Sequence, residues 1–416
     1  MNNPAPKILA ILPGFIPSTM ICVVNPFLRL HRAGFIQTKI TLEEIVTPKE
    51  LRWADLVVFC RNTEPRFSLT VDFLERNQTP FIYDLDDNFF EIPGGSIIGE
   101  YHRDPARLAM VCRYMQGANL VRVYSRLLWE RARAMNSKVE RMMAPIDLGL
   151  IRLSAEKKPG DKIKIVFATS RYDDELVEIF IPALKKVLTQ YRNHLEVHLW
   201  GTRTELMNGD EEVIFHRLIL DYGRFLRRFS QEGYDIGLAP LKNDSFHLSK
   251  TNNKFREYGA CKIAGIYSDV EVYSDCVVDG ETGLLVGNDT DAWLQAMIRL
   301  IDDEQLRRGI QNKAREFVRS EYTPEMFERL WLRQFQQVLE RARHEIRRFD
   351  GESLRLYPRK NSSRIHFSLL PVKERMQKVF RHLQRSGAKR TSSLLQQFLY
   401  GRWMVFKIRF QLRFGR

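Results

Sequence analysis

Over the first 340 residues, short apolar runs alternate with longer amphipathic stretches. Lys7–Pro13 reads as a strand, followed by a Pro/Gly loop and a helix through Val24–Arg32. Asp55–Cys60 (DLVVFC) and Pro80–Leu85 (PFIYDL) have the continuous apolar character of buried parallel strands. Between and after them, Phe67–Asn77, Asp104–Gly117 and Ser125–Met135 read as helices, and Asn119–Tyr124 and Lys138–Ala144 as strands. The charged segment Leu153–Asp161, with its Pro-Gly, breaks the pattern like a linker.

The alternation then restarts. Strands are predicted over Ile163–Ala168, Leu195–Gly201, Val213–His216, Asp235–Ala239, Ile263–Ser268 and Gly283–Val286. Helices are predicted over Asp174–Tyr191, Tyr222–Gln231, Asn253–Ala260, Asp291–Asp302 and Glu304–Glu321, and one long helix over Thr323–Ile346. Strands alternating with helices imply parallel βαβ units. The expected fold class is therefore α/β, with two doubly wound domains over residues 1–155 and 156–335. A C-terminal extension follows over 336–416. Ligands are expected in the crevices at the carboxyl ends of the strands.

Charge changes the picture only at the end of the chain. The net charge of the 416 residues is +14. Residues 341–416 hold 20 Lys and Arg against 4 Asp and Glu, which leaves 45 basic and 47 acidic residues in the first 340. A neutral body with a basic appendage points to docking on an anionic partner. Aromatics and cations mix in residues 366–416, and Leu369, Val372, Met376, Val379, Phe380 and Leu383 recur at helical spacing. We expect this segment to lie on an anionic membrane surface, because Trp, Phe, Lys and Arg suit the headgroup boundary. The rival reading is a satellite helical hairpin packed on the C-terminal domain, or a partly disordered tail. In Phe398–Phe414 the pattern fits strand or helix. The segment KILAIL reads as a first strand rather than a signal peptide, and no run is long and apolar enough for a transmembrane helix. Five scattered cysteines without a Cys-x-x-Cys pair fit a reducing compartment.

Several chemistries lack their signatures. No Gly-x-Gly-x-x-Gly, Walker loop or Gly-x-Ser-x-Gly elbow is present. His194 and His198 are four apart, but on a predicted strand rather than a helix, so no metal pair is assigned. Two places carry chemistry. Tyr83-Asp84-Leu85-Asp86-Asp87-Asn88 crowds three carboxylates at the end of a buried strand. Its alternatives are a general base or hydroxyl-orienting group, an Asp-x-Asp metal site, and a loop or helix cap bonding backbone amides. In the second, a strand ending in LAPL leads through a loop to Ser249-Lys-Thr-Asn-Asn-Lys-Phe-Arg-Glu257. Thr251, Asn252 or Asn253 would cap a helix there, with Lys250 and Lys254 beside its positive end. Cations at a helix N-terminus are unfavourable unless an anion sits between them, which points to a diphosphate. Glu257, one turn on, suits a ribose diol; the alternative is a plain Lys254–Glu257 ion pair.

With these residues the sequence resembles retaining GT-B glycosyltransferases that use nucleotide-sugars, above all over Lys162–Phe335. The matching stretches are FATSRYDDELVEIFIPAL, YDIGLAPL, KTNNKFREYGACKIAGIYSD and VVDGETGLLVGNDTDAWLQAMIRLIDD, with DLVVFCRN and FIYDLDDNFF in the N-terminal half. The resemblance implies two Rossmann-like domains facing a cleft. It implies transfer of a hexosyl or deoxyhexosyl unit to a glycan or lipid-linked acceptor, in cell-surface polysaccharide (such as O-antigen) biosynthesis at the cytoplasmic face of the membrane. In the family two glutamates with seven residues between them open the donor helix. Glu257 matches the second and implies ribose binding; the first falls on Ser249, a departure. The resemblance implies a diphosphate contact for Arg171, the one match to the family's arginine and lysine after the first strand of the C-terminal domain; Lys250, Asn252 and Lys254 are assigned to the diphosphate by their place at the helix start. Asp86 or Asp87 stands where the family often has a catalytic histidine. No metal and no cofactor is implied, the nucleotide-sugar being a co-substrate. An inactive GT-B-like scaffold and a GT-B sugar-nucleotide epimerase are the rival readings, and nucleic acid is not an expected partner.

Overall fold

The structure, a computed structural model, describes residues 4–94, 97–155, 157–158, 160–169, 174–202, 204, 207, 209–352 and 400–412. In the N-terminal half, β1 (Lys7–Leu12) leads through α1 (Pro17–Thr19) and a π-helical turn into α2 (Asn25–Arg32). Then follow β2 (Gln37–Leu42), α3 (Pro48–Trp53), β3 (Leu56–Cys60), α4 (Ser68–Arg76), β4 (Phe81–Leu85) and α5 (Ile97–Arg103). This half ends with α6 (Pro105–Gly117), β5 (Leu120–Val123), α7 (Arg126–Arg133) and β6 (Val139–Arg141). Its strands form one parallel sheet in the order β2-β1-β3-β4-β5-β6. Every residue of β3 and β4 is buried, which explains the unbroken apolar run of β3 and the mostly apolar one of β4, where Asp84 is the exception. The pattern alone does not single out β2. It is an edge strand, QTKITL, whose Thr and Lys residues hide the alternation.

The second half holds β7 (Ile163–Ala168), α8 (Asp174–Tyr191), β8 (Leu195–Trp200), β9 (Val213–His216), α9 (Tyr222–Gln231) and β10 (Ile236–Ala239). It continues with α10 (Asn253–Ala260), β11 (Ala264–Ser268), α11 (Glu271–Ser274), β12 (Leu284–Val286), α12 (Thr290–Asp302) and α13 (Glu304–Glu321). The sheet order is β12-β11-β10-β7-β8-β9, again all parallel. Close backbone approach fixes two glycines. Gly201 ends β8 at φ +75°, where a Cβ would fall 1.9 Å from the carbonyl oxygen of Thr169. At Gly237, on β10, a Cβ would lie 2.5 Å from the ring of Tyr258, which seats α10 on the sheet.

Past α13 the chain returns to the first domain. Thr323 caps α14 (Pro324–Glu352), its hydroxyl accepting from the Met326 amide at 3.2 Å. Phe327, Trp331, Phe335 and Val338 recur at helical spacing and are buried in the N-terminal core. The indole of Trp331 donates to the Cys22 carbonyl at 2.9 Å. The fully buried Arg122 of β5 lies over the Trp331 ring at 3.2 Å, with its guanidinium 3.4 Å from Asp84. The expected division after residue 335 thus falls inside a helix that serves the N-terminal domain. Residues 400–412 form a helix, α15, whose Met404, Val405 and Ile408 join the same core. This decides the strand-or-helix alternative for 400–412 in favour of helix. Leu369–Leu383 lies outside the described residues.

Candidate active site

The strand ends of the N-terminal sheet separate the three carboxylates of YDLDDN. Asp84 is buried; it accepts from the Tyr124 hydroxyl at 2.9 Å, beside the Cys60 thiol and Arg122. Burial pushes its carboxyl up to about 6. Asp86 and Asp87 turn the other way and share Arg61, whose guanidinium pairs with Asp86 and reaches Asp87 at 2.9 Å. Arg61 directly follows β3 with φ +62°, a left-handed conformation that an arginine adopts at a cost. This bend aims the side chain at the neighbouring strand end, where it also lies over the Phe89 ring. The amide-capping alternative holds for Asn88, whose side-chain oxygen accepts from the Phe90 amide.

The C-terminal domain brings a different set. Lys250 ends the loop from β10 and crosses the cleft to Asp87 at 2.6 Å, with its ammonium over the Phe246 ring. Ser249 is fully buried; its hydroxyl accepts from Asn88 of the other domain at 3.1 Å and donates to the Ser245 carbonyl at 2.6 Å. Asn252 is the N-cap residue of α10, but its side chain makes no cap bond. It donates instead to the Tyr322 hydroxyl at 2.8 Å and accepts from Arg256. The first-turn amides of α10 therefore have no side-chain cap, unlike those of α9 or α12, which Asp221 and Asp289 cap.

Lys254 binds Glu257 at 2.7 Å, the plain ion pair of the alternative reading. Glu257 is buried beside Tyr222, the first residue of α9, whose hydroxyl pKa is raised by burial and by the Glu257 charge. Arg171 lies outside the described residues. Arg61 is a site residue that the sequence reading missed. The available signal was a polar residue at the carboxyl end of a buried strand, as in FCRN.

The domains also meet beside Lys250. Arg126 is bidentate to Glu271 at 2.5 and 2.6 Å, and Arg141 reaches Asp275 at 2.6 Å. These bridges flank a cavity of about 110 Å³ bounded by Ser125, Met142, Lys250, Thr251 and Asn252. Farther along the C-terminal strand ends, His198 and His216 share a 2.8 Å hydrogen bond, and His216 stacks on Trp200. His198 is thus tied to a neighbouring strand. Among the described residues no three His, Cys, Asp or Glu side chains gather as a metal site requires.

The arrangement sets carboxylates on one wall and cations with free helix amides on the other, at facing carboxyl ends of two parallel sheets. That architecture is shared with solved structures. Sucrose-phosphate synthase from Thermosynechococcus elongatus has a TM-score of 0.60 at 16% identity, over 80% of this chain and 99% of that one. HepE of Anabaena, in complex with UDP and glucose, has a TM-score of 0.57 at 12% identity, over 80% and 100%.

The fold is GT-B.

A GT-B fold alone does not select a reaction. A putative UDP-N-acetylglucosamine 2-epimerase from Listeria monocytogenes also matches, with a TM-score of 0.51 at 12% identity, over 81% of this chain and 97% of that one. Residues 162–303, a third of the chain, match the family model described as glycosyl transferases group 1. That match contains Lys250, Asn252, Lys254 and Glu257. Among curated protein sequences none matches the chain.

Proposed function

We propose that this GT-B protein is a nucleotide-sugar-dependent glycosyltransferase. It transfers a hexosyl or deoxyhexosyl unit, with retention, to a glycan or lipid-linked acceptor of cell-surface polysaccharide synthesis at the cytoplasmic face. The observation that carries this reading is the meeting of Arg61, Asp86 and Asp87 with Lys250 and the uncapped start of α10 across the cleft. The matched family segment and the UDP complex of the neighbouring HepE structure support a nucleotide donor.

Cleavage of the sugar–phosphate bond puts negative charge on the departing diphosphate and positive character on the sugar. Lys250 and the α10 amides are placed to take the diphosphate charge, with Lys254 and Arg171 as further cations. Lys250 is held by Asp87 in the structure, so an arriving diphosphate competes with that carboxylate for it. Release of Lys250 leaves Asp87 paired with Arg61, beside the reacting bond. Asp86 or Asp87 then accepts the acceptor hydroxyl's proton or steadies the ring cation. Glu257 receives the ribose diol. With cations meeting the leaving group, the proposed reaction needs no bound metal.

The test is thermal stabilisation by a panel of nucleoside diphosphates, followed by donor hydrolysis and transfer assays. A ligand at one hundred times its Kd adds about 2.7 kcal/mol of stability. Absence of stabilisation by every nucleotide would reject the donor site. A second reading, a catalytically silent scaffold, is favoured by Ser249, a short buried hydroxyl bonded to Asn88 where the family carries a glutamate. Nucleotide binding without hydrolysis or transfer would decide for it.

A further inference from the structure

The helix α15 has two faces of opposite character. Gly401 lies against Leu42, and Met404, Val405 and Ile408 are buried against the N-terminal core. Arg409 pairs with Glu50 of α3 at 2.9 Å. The helix therefore covers the edge of the sheet beside β2, which shields an edge strand from other chains. The opposite face carries Trp403, Phe406 and Phe410, which are 52%, 69% and 57% exposed. Their i, i+3, i+7 spacing places all three within an arc of about 60°, directly opposite the buried residues.

Single exposed apolar residues need no explanation, but three large aromatics in one ridge are a patch. Cations flank it on both sides: Arg402 and Arg409 along one border and Lys407 along the other. Lys407 lies 5.0 Å from the centre of the Trp403 ring. None of these borders carries an acidic residue of α15 itself, since residues 400–412 contain no Asp or Glu. An apolar ridge that enters acyl chains, bordered by long basic side chains that reach lipid phosphates, is the arrangement of an interfacial helix.

We propose that the outer face of α15 docks on an anionic lipid surface, with Trp403, Phe406 and Phe410 inserted below the headgroups. Charge complementarity favours a bilayer over a second copy of the chain: the ridge is ringed by cations, and a symmetric dimer would set like charges together. The excess of 20 basic over 4 acidic residues in 341–416 adds to the same attraction. No helix among the described residues is long and apolar enough to cross a membrane. The position gives the docking a direction. The Tyr400 hydroxyl, at the start of α15, donates to Asp221 of the second domain at 3.3 Å, so the helix begins where the two domains meet. Docking would bring the mouth of the cleft to the lipid surface, which suits a lipid-linked acceptor. The lipid contact itself does not depend on the transferase reading.

The full chain is floated with vesicles of phosphatidylcholine alone and with vesicles containing about one third phosphatidylglycerol. We expect flotation only with the anionic vesicles, weakening as salt rises. Trp403→Gln/Phe406→Gln/Phe410→Gln changes only exposed side chains and should lower the bound fraction by roughly tenfold or more. Arg402→Gln/Lys407→Gln should lower it less and flatten the salt dependence. Circular dichroism and melting confirm that the variants are folded, and nucleotide-induced stabilisation is measured on the same samples. Unchanged flotation of the aromatic variant, equal binding to neutral vesicles, or no flotation of the parent chain would each overturn the proposal. So would a parent dimer that the aromatic substitutions split without any vesicle binding. Loss of nucleotide stabilisation in the parent chain would strike the transferase reading and leave the lipid result standing.

Discussion

The two domains share a parallel-sheet plan yet prepare their strand ends in opposite ways. The N-terminal domain uses side-chain charge. A bent Arg61 gathers Asp86 and Asp87, while Asp84 and Glu43 are buried close behind. The C-terminal domain uses backbone: an uncapped helix start, small residues at Ser249 and Thr251, and lysines at its border. Side chains can reposition a proton within a hydrogen bond's length, whereas backbone amides offer fixed dipoles to an anion. In the proposed reaction the first domain handles the acceptor's proton and the second holds the leaving group.

The largest test of that division is Asp86→Asn. It should lower turnover about a hundredfold or more with nucleotide affinity unchanged, measured by steady-state kinetics and calorimetry. A parallel fall in nucleotide affinity would erase the division. If turnover requires manganese and the variant loses metal binding, the Asp-x-Asp alternative replaces it.

Next in size is the opposed pH response of the two domains. Glu43, next after β2, accepts from Asn62 at 2.7 Å, and burial pushes its carboxyl up to about 7. Because the folded pKa is raised, the protonated form is favoured in the fold. Its contribution is complete below the unfolded value near 4.5 and is lost as pH rises through about 7. Glu43→Gln, which cannot ionise, should gain in stability over the parent from pH 5 to pH 8, by an amount on the order of 3 kcal/mol at most, read from denaturation at each pH. His198 runs the other way. Burial and His216 push it down to about 4, so its contribution is present above about 6.5 and lost as pH falls towards 4. His198→Gln should flatten the acid side of the stability profile. A variant at Glu43 that changed the acid side instead would contradict this assignment.

Smaller effects belong to the donor wall. Glu257→Ala and Lys254→Ala should each weaken nucleotide binding by about 1.5–3 kcal/mol, with titration calorimetry as the readout. Normal affinity in both would remove α10 from the donor site. The smallest is Asn88→Ala, which deletes the hydrogen bond to Ser249 between the domains. It should cost about 1 kcal/mol or less, seen as more open particles in solution scattering.

The fold was largely legible because buried parallel strands announce themselves: LVVFC and FIYDL admit few other readings. The elements that escaped include β2, whose face is half polar, and the short helices α3, α5 and α11. Within the site, the sequence put the acidic cluster at a strand end, and spacing alone puts Lys250, Asn252 and Glu257 on one loop and helix. It did not reveal that Asp84 is buried on the Ile82 side of β4, because a strand buried on both faces shows no polar alternation to read. It did offer the Lys254–Glu257 ion pair, as the rival to the ribose reading. Contacts between domains, such as Asn88 with Ser249, join residues 161 positions apart and leave no local trace.

The return of α14 also orders events in time. The second domain's sheet and its covering helices occupy one uninterrupted segment, from Ile163 to Glu321. The first domain's core, by contrast, waits for Phe327, Trp331 and Phe335, and then for Met404, Val405 and Ile408. As the chain leaves the ribosome, the domain made second has all its parts before the domain made first. Synthesis from the N-terminus usually lets the first domain fold first. Here the earliest strands must stand for several hundred residues with one face of their sheet incompletely covered. A chain shortened before α14 would therefore leave its oldest domain unfinished, while the younger one closes on its own.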